Sequence, residues 1–505
     1  MLLKFSKIEN HYWKWGFYII LLSFGFLFLT MYFCNHYFFR TNAYDYGAYN
    51  FAFNDFAHFR NSISPVYHKG HVKFIQDHIS FTLILFVPLY WLLAWLTGSY
   101  TLLLIQTLII LFGAWGVFKL VELKSDNKLL PVLAGLHYFL ILGRWTSFTS
   151  DCNLAIITSS MVPVFLYFFE KRKWIPVALC FLFILTSRED MALWTLFIGF
   201  FFLAAYWKEK QVRRASFVVI FVSLAYFVFV FLVIIPIIET PEKKFSLFNY
   251  SALGKNPLEA LAFMLKHPFK ILSLLFINQS GNPAYNGVKT EFYIVYLISG
   301  GLLLVLRPKY FLLFIPIIAK KMLNDDPIRW SVELYYSIEF VSILPVTVYL
   351  IIASFRKKIL QFILGLLVCV VTFSMTMYKF NSEKRVLPWW HTTKYTFYKS
   401  TMYSSGYSSG FNASRVHDLL NTIPKTASVC ASGRILPHLA FREKIYLFPR
   451  IDDAEYLVIF TEEDTFPLNQ EQFDQEIEKY LNSPDWKIIA CEDPLLILKK
   501  ETNTR

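Results

Sequence analysis

Runs of about 17–25 apolar residues recur along this chain, each long enough for a helix to cross a hydrocarbon layer of about 30 Å. Nothing else in the sequence limits the fold as severely. Lipid offers backbone N–H and C=O groups no partners, so such runs are helices and their connections stay at the two membrane surfaces. Composition agrees. Hydrophobic residues make up 56% of the 505 residues, Phe alone occurs 53 times, and charged residues are 17%. Soluble chains carry roughly 25% charge. The chain reads as an α-helical polytopic membrane protein, which excludes a soluble enzyme, a secreted disulfide scaffold and a disordered protein.

Charge sets the expected topology. Lys4, Lys7 and Lys14 precede the first run, and the positive-inside rule places them in the cytoplasm. The later basic clusters are Lys119/Lys124/Lys128, Lys171–Lys173, Lys208/Lys210/Arg213/Arg214, Arg307/Lys309 and Arg356–Lys358. All fall on the same side if the crossings are 17–39, 99–121, 129–148, 153–170, 174–188, 191–206, 215–238, 291–306, 310–323, 335–354 and 358–378. Eleven crossings put the C-terminus outside. Phe81–Leu96 is then a helix at the outer interface with Trp91 and Trp95 as belt residues, because counting it as a crossing inverts every later cluster. Residues 258–277, broken by Lys266, His267, Pro268 and Lys270, are also read as surface or half-inserted helices. The first apolar run, Phe17–Phe39, is too long for a cleavable signal.

The expected domains are a transmembrane unit 1–380 with large outer loops 40–98 and 239–290, a linker 381–410, and an extracytoplasmic α/β domain 411–505. That tail holds 11 Lys/Arg and 16 Asp/Glu, against 38 and 20 in the rest. Its patterning predicts a helix over 412–422, strands in SVCAS, KIYLF, EYLVIF, WKIIAC and LLILK, and an amphipathic helix in NQEQFDQEIEKYLN. It has no Gly-rich phosphate loop, and the basic residues of the chain flank apolar runs without forming a nucleic-acid stripe. Cys430 and Cys491 either pair or stand as separate strand thiols, the second being the favoured reading.

The acids collect at outer span ends: Asp45 and Asp55 in the first loop, Asp77, Asp151, Glu189 and Asp190, then Asp325 and Asp326. For any one of them a solvated loop acid is the simpler account. Asp45 is sharper, because it opens an aromatic amphipathic stretch (Tyr44, Tyr46, Tyr49, Phe51, Phe53) suited to headgroup depth. Arg144, Arg188, Lys320, Lys321 and Arg329 are cations on the side the charge rule disfavours. They snorkel to headgroups or clamp a lipid phosphate, with Lys320 and Lys321 the first choice because two lysines inside an apolar run are costly alone. His137, deep in a span, reads as a packing residue. His68, His71 and His78 with Asp77 match no strong zinc signature.

Several segments together resemble a family of predicted bacterial and archaeal membrane proteins of unknown function that is grouped with the GT-C glycosyltransferases. The resembling segments are Asp45-Tyr46-Gly47, DHISFTLILFVPLYWLL, LLLIQTLIILFGAWGVFKL, Asp151, Arg188-Glu189-Asp190, NYSALGKNPLEAL and TIPKTASVCASGRILPHLAFREKIYLFP. The turn after Asp151 departs from the family, with Cys-Asn where His-Pro is usual.

The resemblance implies a GT-C-like fold and transfer of a sugar from a polyprenyl-phosphate carrier to a glycan, lipid or protein acceptor outside the cytoplasm. An acid of the first outer loop is the catalytic base or a metal ligand in such enzymes. Asp45 is therefore the expected base. Asp151 or Glu189 would orient the acceptor or, Asp151 with Asp45, share a divalent cation. Arg188, Lys320 and Lys321 would bind the leaving phosphate, with His78 and Tyr336 as further substrate-binding candidates. Membrane lipids are expected partners and nucleic acid is not; the expected location is the plasma (inner) membrane. The alternatives are a lipid-linked glycan transporter and a non-catalytic envelope protein.

Overall fold

A computed structural model describes residues 12–67, 72–241, 248–381, 407–463, 465 and 468–501. The chain folds as a helix bundle with a small C-terminal sheet. Four helical runs among the described residues are long and apolar enough to cross a membrane: Tyr12–Tyr37, Val87–Lys124, Lys210–Ile238 and Lys358–Asn381. Shorter apolar helices, Leu130–Leu140, Leu154–Glu170, Trp174–Ser187, Met191–Ala205 and Ile338–Ala353, stand with them. Three expected crossings are broken: 129–148 divides at the extended Ile141 into helices Leu130–Leu140 and Leu142–Thr146, and two more divide further along. Residues 291–306 become helix Val288–Ile298 plus a 3-10 turn Gly301–Leu306, and 310–323 become a 3-10 turn Pro308–Leu313 plus helix Ile315–Met322. Gly300, with φ +104°, separates helix Val288–Ile298 from its 3-10 turn, and Pro316 lies just inside the start of the last helix, where its missing N–H costs no bond.

The burial pattern follows from a lipid solvent. Three of the four long runs bury only 22–33% of their apolar window, and Ile19, Leu22 and Phe26 of the first helix point outward. Water tolerates few apolar patches of that extent. At the centre, Thr101–Lys124 and Leu154–Glu170 pack backbone to backbone. A Cβ on Gly113 would lie 2.5 Å from the Ser160 carbonyl oxygen, and one on Gly116 2.7 Å from the Val164 nitrogen. Small residues permit that approach in membrane helices. His137 is fully buried, its Nε2 3.1 Å from the Thr372 hydroxyl, in keeping with a packing role.

Charges gather at the two ends of the bundle. At one end, Lys14 pairs with Glu122 (3.3 Å), Lys124 with Glu170 (2.5 Å) and Arg172 with Glu209 (2.7 Å), and Asn127 donates to the Lys358 carbonyl. The other end carries the first loop and the tail.

The tail sheet has the order β2-β1-β3-β5-β4, with β1 Val429–Ala431, β2 Ile445–Leu447, β3 Tyr456–Phe460, β4 Trp486–Glu492 and β5 Leu495–Lys500. β1 pairs in parallel with β2 and β3, and β5 runs antiparallel to β3 and β4. All five strands and the two expected tail helices, Ala413–Asn421 and Gln470–Leu481, fall where alternation and amphipathicity put them, and a short third helix, Leu436–Leu439, joins them. Cys430 is buried in β1 and Cys491 exposed in β4, and both thiols are free.

The tail does not stand apart as a separate module. One apolar cluster joins Phe39, Ala43, Ala48, Phe51 and Val66 of the first loop to Val416, Leu420, Leu436 and Val458 of the tail. The His36 ring at the end of the first helix stacks on His438 at 3.9 Å and 2°. Hydrogen bonds cross the same joint, from the backbone N–H of Leu447 to the Pro65 carbonyl and from the Asn54 side-chain amide to the Arg442 carbonyl.

The tightest contact is Gly47 against the short helix Leu436–Leu439: a Cβ on Gly47 would lie 2.6 Å from Leu436 Cδ2. Gly47→Ala is expected to cost about 1–3 kcal/mol by overpacking. In a double-mutant cycle with Leu436→Ala the two losses should be less than additive by about 0.5 kcal/mol or more. Thermal unfolding of the four proteins measures this, and strict additivity would mean that the joint is not packed as described.

Candidate functional site

The Ala43–Gly47 turn that Gly47 fixes against the tail also carries Asp45. Asn42 begins it, its side chain accepting from Tyr44 N and its own N–H donating to Asp151 Oδ2 at 3.1 Å. Asp151 sits in a left-handed turn (φ +48°), is buried, and its carbonyl receives the Gln106 amide at 2.7 Å. The Gln106 carbonyl oxygen in turn accepts from Asn153 N. Gln106, the glutamine of the apolar segment LLLIQTLII, thus holds the Asp151 turn with both ends of its amide. Burial pushes the Cys152 thiol up, and the charges of Asp151 and then Asp45 add to that. The two acids therefore flank one residue.

A second group lies beside the first. His78, Arg188, Lys320, Lys321, Arg329, Tyr335, Tyr336 and Glu339 line one cleft of about 60 Å³. All five residues expected to bind substrate (His78, Arg188, Lys320, Lys321 and Tyr336) are among them, drawn from four separate stretches of chain. Lys320 Nζ lies 2.7 Å from Asp190 and 2.6 Å from Glu339, and Arg188 Nε is 3.2 Å from the other Asp190 oxygen. Burial works against the Asp190 carboxylate, but Arg188 and Lys320 outweigh it and hold its pKa well below the usual range. Asp190 therefore stays ionised and ties two cations together.

The two lysines differ. Lys320 is tethered by two carboxylates. Lys321 is 3% exposed, donates to the Ser331 carbonyl at 2.5 Å and the Tyr336 carbonyl at 3.2 Å, and lies 4.8 Å from the Phe292 ring centre. It shapes the 331–336 loop through those two carbonyls. Arg329, 3.9 Å from Asp326 and 5.7 Å from the Tyr336 ring centre, is the most loosely held of the lining cations.

None of the three acids expected to act chemically lines this cleft directly. Glu189 is 2% exposed, accepts Ile79 N at 3.2 Å and lies 3.4 Å from His78 Nδ1. Asp151 lies beneath the tail joint. Asp45 is half-buried, and its charge reaches the cleft wall: burial pushes the Tyr335 phenol up, and Tyr336 and Asp45 reinforce this. Asp55 is no free loop acid, since Arg60 Nε holds its carboxylate at 2.8 Å in a buried setting. Tyr335 and Glu339 are the cleft residues that sequence reasoning missed. Glu339 had a signal, an acid inside the apolar run 335–354 near its end, whereas Tyr335 had none. His68 and His71 lie outside the described residues. Among the described residues no three His, Cys, Asp or Glu side chains converge as metal ligands.

The profile of the DUF2079 family, described as a predicted membrane protein, matches residues 35–497. The chain belongs to that family. The match runs from the end of the first helix through the tail sheet, so the family's sequence includes both sides of the Gly47–Leu436 joint. A search of curated proteins returns no match.

His78 provides a test of the cleft. Burial opposes its protonation, but the hydrogen bond and charge of Glu189 outweigh this and raise its pKa above the ordinary histidine value. The imidazolium is thus present below that raised pKa and lost as pH rises through it. Sulfate, whose charge is constant over this range, should bind more weakly across that rise, and His78→Gln should flatten the dependence. Calorimetric titration over a pH series checks it; a wild-type affinity that does not change with pH would remove His78 from the site.

Proposed function

We propose that the protein is a membrane glycosyltransferase that moves a sugar from a polyprenyl-phosphate carrier to an acceptor on the extracytoplasmic face. The observation that carries this reading is the cleft in which His78, Arg188, Lys320, Lys321 and Tyr336 meet, with the Asp45 charge acting on its Tyr335 wall. Four cations around one small opening suit a phosphate. A partly exposed carboxylate whose field reaches the same wall suits an acceptor hydroxyl. The resemblance to GT-C enzymes supplies the reaction class, and the side is the one expected from the charge of the loops.

In this mechanism Asp45 takes the proton of the acceptor hydroxyl. The hydroxyl oxygen forms a bond to the anomeric carbon as the bond from that carbon to the phosphate oxygen breaks. Polyprenyl phosphate leaves with the electron pair, stabilised by the Arg188 and Lys320 charges that Asp190 and Glu339 hold in place. Such preorganised charge costs no rearrangement during reaction. Asp151 and Glu189 act as positioning residues, Asp151 through Asn42 on the Asp45 turn and Glu189 through His78.

Asp45→Asn should lower transfer from a polyprenyl-phosphate sugar by about 10²–10⁴-fold, with donor binding and protein level near wild type. Asp45→Glu keeps the base and should recover part of the rate. Near-normal transfer by Asp45→Asn would remove the assigned base. For topology, a reporter fused after Arg505 should be extracytoplasmic and one after Arg214 cytoplasmic. A cytoplasmic C-terminal reporter would put the cleft on the wrong side for this chemistry.

A further inference from the structure

A second cavity lies at the basic end of the bundle. Its volume is about 500 Å³, and Leu306, Arg307, Pro308, Lys309, Tyr310, Leu350 and Ser354 line it. Helix Ile338–Ala353 shows how far this is from the cleft. Glu339 stands at one end of that helix beside Lys320, and Ser354 caps the other, a separation of about 22 Å at 1.5 Å per residue. Tyr310 stacks on Phe201 at 5.5 Å, near the far end of the helix that begins after Asp190. The two cavities thus open at opposite faces of the membrane unit.

Broken helix makes the hollow. Gly301–Leu306 and Pro308–Leu313 are 3-10 turns on either side of Arg307, where the chain is extended (φ −142°, ψ 76°). Such turns place fewer side chains against a neighbour than an α-helix does, and the gap opens toward Leu350 and Ser354.

What sets Arg307 and Lys309 apart from the other cations at this end is that they line a hollow. Lys14, Lys119, Lys124 and Arg172 are each neutralised by Glu122, Glu170 or Glu209. Arg307 and Lys309 have no carboxylate within ion-pair distance among the described residues, and both face the cavity. Lys309 Nζ lies 5.4 Å from the centre of the Tyr310 ring. Beside them Leu302, Val305 and Leu306 are 61%, 66% and 54% exposed, forming an apolar strip next to a basic hollow. A guanidinium presents two parallel N–H groups to a phosphate, and an ammonium adds a point charge. Apolar side chains alongside suit acyl chains. A volume of about 500 Å³ is within the range of about 300–1,000 Å³ typical of ligand sites, and basic pockets between helices on the cytoplasmic side hold anionic headgroups.

We propose that this cavity binds the phosphate of an anionic phospholipid headgroup, with Arg307 and Lys309 on the phosphate oxygens and Leu302, Val305 and Leu306 along the chains. The site is separate from the cleft and does not depend on its chemistry.

The test is native mass spectrometry of the full chain, released from nanodiscs of phosphatidylcholine with a minor share of phosphatidylglycerol, counting retained phosphatidylglycerol. Wild type should retain it. Arg307→Gln/Lys309→Gln should lose its preference over phosphatidylcholine by about tenfold or more, the loss of about 1.4 kcal/mol of specific phosphate contact. The control is Arg356→Gln/Lys357→Gln, which removes the same charge from exposed positions at the same end, outside the cavity. It should retain the lipid. Equal losses in both double variants would mean general surface attraction and overturn the site, as would retention by Arg307→Gln/Lys309→Gln. Release of the bound lipid by inorganic phosphate alone, without phosphatidylglycerol vesicles, would make free phosphate the ligand and overturn the lipid assignment. Unfolding temperatures in phosphatidylcholine alone should match across all three proteins, so a retained-lipid difference reports the cavity and not the fold.

Discussion

Hydrocarbon satisfies no polar group, and that constraint sorts the charges of this protein to the two ends of its helix bundle. At one end the charges pair locally, Lys124 with Glu170 and Arg172 with Glu209. At the other they converge from distant stretches of chain. Lys320 reaches Asp190 across 130 residues and Glu339 across 19. Each of these groups alone is expensive at the edge of a membrane. Joined through Asp190, Arg188 and Lys320 share a carboxylate, and several cations face one opening.

The tail completes that end. Its helix Leu436–Leu439 seats on Gly47, two residues from Asp45, and its core is continuous with Phe39, Ala43 and Phe51 of the first loop. The catalytic reading of Asp45 therefore involves the C-terminal 90 or so residues even though none of them lines the cleft. The joint also holds three imidazoles, His36, His417 and His438, stacked or edge-on to one another. Burial depresses His438 strongly, and the neighbouring imidazoles add to this. A neutral stack belongs to the docked state, so its contribution to docking is present above the ordinary histidine pKa and is lost as pH falls toward the depressed value.

Much of this was legible before any coordinates. Apolar run length identified the helices, and alternation located all five tail strands, because both signals are local and periodic. The basic clusters that organise the expected topology do meet at one end. The lysine pair at 320–321 was conspicuous since two ammonium groups within an apolar run need partners. Its division of labour was not legible: Lys320 has two carboxylates and Lys321 two carbonyls, a difference set by which way each side chain leaves a short helix. By sequence Asp55 is a solvated loop acid, and only the fold shows Arg60 bonded to it.

The sequence by itself determined that this is a membrane protein of helices with a small α/β tail, because hydropathy and its period depend on residue type and spacing alone. It also marked the residues whose charge is out of place. Tertiary structure decided which of them meet. The cleft is assembled from His78, Arg188, Lys320–Lys321 and the 329–339 stretch, and the second cavity from two 3-10 turns and the end of a helix. Such convergence depends on helix packing angles and on where helices break, and neither has a period that a sequence displays. The Gly47–Leu436 contact makes the point at the scale of one atom: nearly 400 residues apart in the chain, the two positions touch because one has no side chain and the other fills the space.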